Sequence, residues 1–296
     1  MRTVEYSGTV KALSSIAHGG KDVGTTHQFR RERLIQPDGR DLGPIPVVSG
    51  SVIRGGLRRY AATMTHVAAA GDGRLPFPAV HALRTGGSLR ETRTKRELLT
   101  GERQARLRDL IPMLGVFGVT GGGRIMSGRL VVDKAIPVAA ETAFLAPHYG
   151  VDLSGYTPPV VWTLVQREQH ARWADVLDAK AQPYVDPETV VDLGSGAGTM
   201  IWSTETLPAG TLLFHRFILE DATPVEVSFF DDLMAGWARK ARIGAQRARG
   251  NGMVETRYTR TVTDSLGNPA DVEECLPWRE HMTANADEVL EALSWL

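Results

Sequence analysis

With 296 residues, 42% of them hydrophobic, the chain has enough apolar surface for a folded core, which excludes a disordered segment. A single cysteine, Cys275, excludes an intramolecular disulfide and a cysteine-rich zinc site. There is no apolar leader and no run long enough to span a bilayer, so a cytoplasmic location is expected. The 34 basic and 34 acidic side chains cancel, but residues 1–130 carry 21 basic against 10 acidic and residues 131–296 carry 13 against 24. If folding keeps the halves apart, one surface is basic and suits a polyanion. The acidic one allows head-to-tail contact between copies.

In chain order, residues 3–13 (TVEYSGTVKAL) alternate as a half-buried strand does. Residues 14–46 read as a long loop, in which part of the chain can form a hairpin around PDGRD. Ser49 or Ser51 suits a helix N-cap, because Val52, Ile53, Leu57, Tyr60 and Met64 recur at helical spacing to about residue 70. Arg54 and Arg58 are four apart on that helix and share a face. A second helix, dense in arginine and leucine, is predicted over 94–114, and the glycine segment 118–128 ends it. Strands are predicted over 129–138 and 159–165. Residues 166–199 lose periodicity and read as an insertion. Strands return over 200–207 and 210–220, then a helix over 226–242, a glycine-arginine loop, the alternating MVETRYTRTV and a closing helix over 284–296. This order gives an α+β fold with an antiparallel sheet.

Three segments combine glycine with arginine: VVSGSVIRGGLRR (47–59), FGVTGGGRIMSGR (117–129) and IGAQRARGNG (243–252). Glycine lets backbone approach a ligand closely, and arginine offers a fork of donors to phosphate oxygens. A nucleic-acid backbone is the first ligand this chemistry fits. In the first segment a helix N-terminus with Ser49, Ser51 and Arg54 makes an anion site. The second offers Gly121, Gly122 and Arg124 but lacks the GK[ST] of a P-loop, so ATP is disfavoured. The third places Gln246, Arg247 and Arg249 in one loop, more donors than a turn requires.

A competing signal is VVDLGSGAG (190–198), the glycine pattern of S-adenosylmethionine-dependent methyltransferases. It leads into strand-like sequence containing Pro208 and Gly210, where that fold needs a helix, so it ranks as an alternative only. No histidine pair has ligand spacing, no GxSxG elbow appears, and Cys275 lies among acids; neither a metal nor a cofactor is expected. Trp162, Trp173, Tyr184 and Trp202 fit either base stacking or ordinary packing.

Taken together, IPVVSGSVIRGGLR, FGVTGGGRIMSGRLVVDKA, LPAGTLLF and IGAQRARGNG, in this order, resemble the RAMP superfamily of CRISPR effector proteins. The RERLIQPDG and VWTLVQRE segments are most similar to the type IV version of the backbone subunit. The resemblance implies a single domain over 1–296 with an RRM-like, ferredoxin-like core, long loops and an inserted thumb hairpin at 166–199. It further implies a non-catalytic subunit that binds guide RNA (crRNA) and stacks in copies along it, with other effector subunits and a guide-paired target as partners and no membrane. Ser49, Ser51, Arg54, Arg58, Gly121, Gly122, Arg124, Gln246, Arg247 and Arg249 are the expected RNA contacts, and Arg167 with the thumb would reach the neighbouring copy. Some relatives cut RNA with an aspartate in the first long loop. Here Arg30 or a neighbour stands at that position and Asp22 is the nearest acid, so a metal-dependent ribonuclease is the alternative.

Overall fold

The alternating start forms β1 (Arg2–Ala12), with Val4, Val10 and Ala12 buried. In the computed structural model, which describes residues 1–87, 100–121, 124–172 and 200–296, the expected loop over 14–46 is instead mostly strand. It contains β2 (Ile16–Ala17), β3 (Gly19–Val23), β4 (Thr26–Phe29), β5 (Arg31–Ile35) and β6 (Asp41–Pro46). β3 pairs with β4, and β5 pairs with β6 around the anticipated PDGRD turn. The loop reading fails because exposed hairpins leave no apolar period; every residue of β3 is exposed.

Helix α1 (Gly50–Ala70) starts at the serine cluster as the spacing predicts, and α2 (Phe77–Thr85), which the sequence did not announce, follows it. The long helix expected over 94–114 is, within the described residues, α3 (Gly101–Leu110) and α4 (Pro112–Phe117). Pro112 disfavours helical backbone at Ile111, which sits at φ −124 and ψ 88 and separates the two. The glycine segment forms a hairpin, β7 (Gly118–Gly121) and β8 (Arg124–Ser127), before β9 (Leu130–Val132) and β10 (Ile136–Pro137). The strand expected over 159–165 is a 3-10 turn at Val161–Leu164, preceded by two prolines and held by Glu141, which accepts the Val161 N–H at 2.9 Å.

The segment read as an insertion over 166–199 begins instead with a strand, β11 (Gln166–Arg172), which pairs with β12 (Met200–Leu207); residues 173–199, which include the methyltransferase-like motif, Trp173 and Tyr184, lie outside the described residues. The rest of the chain is β13 (Leu212–Ala222), α5 (Pro224–Ala238), β14 (Val254–Thr263), α6 (Trp278–Ala284) and α7 (Ala286–Ser294).

The central sheet is antiparallel in the order β14-β1-β13, with β9 and β10 in tandem on the far edge of β13. With α1 and α5 as the crossovers, this is the β-α-β-β-α-β order of a ferredoxin-like unit. The fold is therefore α+β around an antiparallel central sheet. On the helix side Phe217 meets Trp237 edge-on at 5.5 Å, and α1 crosses α5 where Gly236 faces Tyr60; a Cβ at Gly236 would collide with the Tyr60 ring. On the other face Tyr149, from a 3-10 turn at Ala143–Tyr149, stacks on Phe214 at 5.4 Å and packs with Val138 and Ala146. That layer covers part of the sheet face. A second sheet, in the order β11-β12-β4-β3 with β2 beside β12, joins the root of the insertion to the N-terminal hairpins.

Candidate nucleic-acid interface

After α5 the chain turns through Gly244, Gln246, Gly250 and Gly252, all at positive φ. Glycine is required at two of these positions: a Cβ on Gly244 would strike the Ala17 carbonyl, and one on Gly252 the Ile243 carbonyl. Ala245 N–H donates to the Ala17 carbonyl at 2.7 Å and Gly252 N–H to Ser15 at 2.8 Å, which binds the loop to β2. The Gln246 amide reaches the Thr204 hydroxyl of β12 at 3.4 Å. Arg247 then lies over α1 at Gly56, where an added Cβ would come within 2.8 Å of Nη2. The first and third glycine-arginine segments thus meet, and the bare Gly56 gives the guanidinium its seat.

The electrostatics of this junction are uncompensated. Arg247 Nε donates to the Gly244 carbonyl at 3.3 Å, while Nη2 is buried with no hydrogen-bond partner. Burial lowers the Arg247 pKa, and the charges of Arg59 and Arg242 lower it further. Exposed Arg59 has no ion-pair partner among the described residues. Arg242 makes only long contacts, at 3.4 and 3.5 Å, to the carbonyls of Arg247 and Asn251. Three guanidiniums crowded without a carboxylate partner among the described residues form a site for an anion. Next to it is a cleft of about 180 Å3, lined by His18, His27, Thr204, Gln246 and Glu205 among others; the Glu205 carboxylate is paired with Arg31. His18 Nε2 accepts the Ser49 N–H at 3.2 Å, which ties the start of α1 to this cleft. Burial and the charge of Arg30 lower the His18 pKa, so the ring stays a neutral acceptor.

The other candidates occupy different settings. Ser49 is the N-cap of α1, but neither its hydroxyl nor that of Ser51, 3.1 Å away, caps the helix. Arg54 Nη2 donates to the Phe117 carbonyl at 2.9 Å and the guanidinium lies 5.5 Å from that ring, leaving it half-buried. Arg58 requires a correction. It is 5% exposed, and its Nε, Nη1 and Nη2 donate to the carbonyls of Leu83, Phe117, Ala82 and Gly118 at 2.8 to 3.1 Å. Burial, with the nearby Arg54 charge, pulls its pKa down to about 10. Arg58 is a strut between α1, α2 and the β7–β8 hairpin, buried and with four of its five N–H donors spent on backbone carbonyls. The helical spacing placed it on the Arg54 face correctly; α2, which covers that face, was invisible.

Gly121 is buried, and a Cβ there would touch Leu296 at 3.7 Å; its ladder partner Arg124 is exposed, and Gly122 lies outside the described residues. Arg167 is exposed on β11 opposite Glu205. Burial alone would raise the Glu205 pKa. Hydrogen bonds from Arg31 and the Phe29 N–H, with the charges of Arg31 and Arg167, outweigh it and hold the carboxylate low. Arg249 lies over the Trp202 ring at 5.2 Å. Asp22, the acid of the ribonuclease alternative, is paired with His27 at 2.6 Å, and among the described residues no three His, Cys, Asp or Glu gather as a metal site. Sequence reasoning missed the part played by His18, Arg59 and Arg242. Two signals were available: Arg59 follows Gly56 by one helical turn, and Arg242 immediately precedes the loop.

No protein-family model matches the chain, and no curated protein matches it. Among solved structures it is similar to a chain of a Type IV-B CRISPR complex, at 27% identity over 94% of this chain and 97% of that chain, with a TM-score of 0.57. The likeness carried by four sequence segments thus extends over nearly the whole molecule: in fold and in sequence, the chain resembles a chain of a type IV CRISPR complex.

Proposed function

We propose that this protein is a component of a type IV CRISPR effector and holds guide RNA by its phosphates. The observation that carries the reading is Arg247, whose buried, unpartnered Nη2 sits beside Arg59 and Arg242 without a carboxylate partner among the described residues. A phosphodiester supplies the missing acceptor and offsets the repulsion. Arg249, Gln246, Arg54 and the serines at the start of α1 extend the contact along the strand, and Arg124 and Arg167 lie farther out on exposed hairpins. Phosphate contacts are indifferent to base sequence, as a subunit carrying many guides requires. The partial cover of the sheet face by Tyr149 and Phe214 favours this loop-lined groove over the open face an RRM-like sheet would otherwise offer.

The second element of the proposal is that copies stack head to tail along one RNA, with the target recognised by pairing to the guide and other effector subunits at the ends. The test is the nucleic acid that co-purifies with the protein. Uniform short RNAs with a repeat-derived end, in particles larger than the 32.2 kDa chain, are expected. A clean monomer without RNA, which also fails to bind added guide, contradicts the reading.

A further inference from the structure

Trp202 lies on β12 at the root of the insertion, half-buried, and its cross-strand partner on β11 is His170. The two rings are 5.5 Å apart and tilted by 30°, and the His170 Nε2 is buried without a hydrogen-bond partner. Over the indole lies the guanidinium of Arg249, 5.2 Å from the ring, which itself has no carboxylate partner among the described residues. Arg249 is carried by the loop that bears Arg247. An aromatic platform therefore adjoins the uncompensated guanidinium cluster, and a cation is parked on it.

We propose that Trp202 is a base-stacking subsite, and that in the RNA complex a nucleobase takes the place of Arg249 on the indole. This inference rests on the RNA-binding reading above and adds a contact of a different kind. Every base has a π-face, so the subsite accepts any sequence; stacking of this sort contributes about 1–3 kcal/mol per base. Displaced from the ring, the Arg249 guanidinium keeps its charge beside the same nucleotide and is free to take a phosphate oxygen. The parked cation thus keeps an otherwise open indole covered until RNA arrives, exchanging a cation-π contact for stacking plus a charge-assisted hydrogen bond.

The experiment measures binding of a short oligouridine, and of a matched oligomer carrying abasic sugars, across a salt series. Trp202→Leu is expected to weaken oligouridine binding by about 5- to 150-fold while leaving the log-salt slope unchanged, because no phosphate contact is lost. Trp202→Phe is expected to keep most of the affinity, and the abasic oligomer to show little difference among the three proteins. Thermal melts check that each variant is folded. The proposal is overturned if Trp202→Leu flattens the salt slope, if it weakens the abasic oligomer equally, or if its effect vanishes in an Arg249→Ala background, since the ring would then only position the arginine. Failure of the wild-type protein to bind either oligomer would instead contradict the RNA-binding reading itself.

Discussion

Arg58 and Arg247 lie on either side of α1 and come from segments of the same glycine-arginine character, yet they have opposite fates. Arg58 is enclosed by α2 and the β7–β8 hairpin, and backbone carbonyls take four of its five donors. Arg247 rests on Gly56 with one nitrogen buried and unpartnered, next to two more guanidiniums. The difference teaches that an arginine in a glycine-rich setting marks a ligand site only when the fold leaves its donors unmet. An arginine whose donors are met is part of the scaffold, however basic its segment.

The comparison breaks first on stability. Arg58→Ala removes four buried hydrogen bonds, although the Phe117 carbonyl keeps Arg54 and the Ala82 carbonyl keeps the Gly86 N–H, and is expected to cost about 3 kcal/mol or more in urea unfolding, with Arg58→Lys unable to restore the forked geometry. Arg247→Ala, measured in the same way, is expected to shift stability by less than about 1 kcal/mol. Equal losses at the two positions would remove the distinction.

An acid titration sharpens the scaffold side. His215 is buried, donates to or accepts from the Tyr258 hydroxyl at 2.8 Å, and burial pulls its pKa from 6.5 down to about 3. Above 6.5 the ring is neutral in both folded and unfolded chains. Below it only the unfolded chain takes up the proton, so the contribution of His215 to stability falls progressively as pH drops towards 3. Urea unfolding of wild type and His215→Gln should diverge less at acid pH than at neutral pH; a constant gap would contradict the assignment.

The smallest effect on stability is the most discriminating for the site. Gly56→Ala is expected to stabilise α1 by up to about 1 kcal/mol, because the methyl group meets only the movable end of Arg247. The same methyl displaces that guanidinium, so RNA affinity should drop while the melting temperature holds or rises. Unchanged RNA binding would mean that the seat on Gly56 has no part in recognition.

Much of the frame was legible because its burial is periodic. α1 and α5 carry a one-faced apolar pattern, β1 and β14 alternate, and β13 is a largely apolar run; each stands close to where its pattern places it. The hairpins over 14–46 and α2 were not legible: β3 buries nothing, and α2 buries only Ala79, Ala82 and Leu83. At the site, the glycines of 243–252 announced a tight loop beside foreign backbone, and the Ala17 carbonyl against Gly244 shows why. The enclosure of Arg58 was hidden because it depends on α2, and the part of His18 because it comes from a hydrogen bond to Ser49, far along the chain.

The central claim is that Arg247 meets phosphate and Arg58 does not, and the slope of log affinity against log salt for a short single-stranded RNA tests it most directly. The account predicts that Arg247→Ala lowers affinity and reduces the magnitude of that slope by about 0.7, the loss of one phosphate contact on a single strand. Arg58→Lys, in whatever fraction remains folded, should keep the wild-type slope. A wild-type slope in Arg247→Ala, or a flattened one in folded Arg58→Lys, would contradict the account.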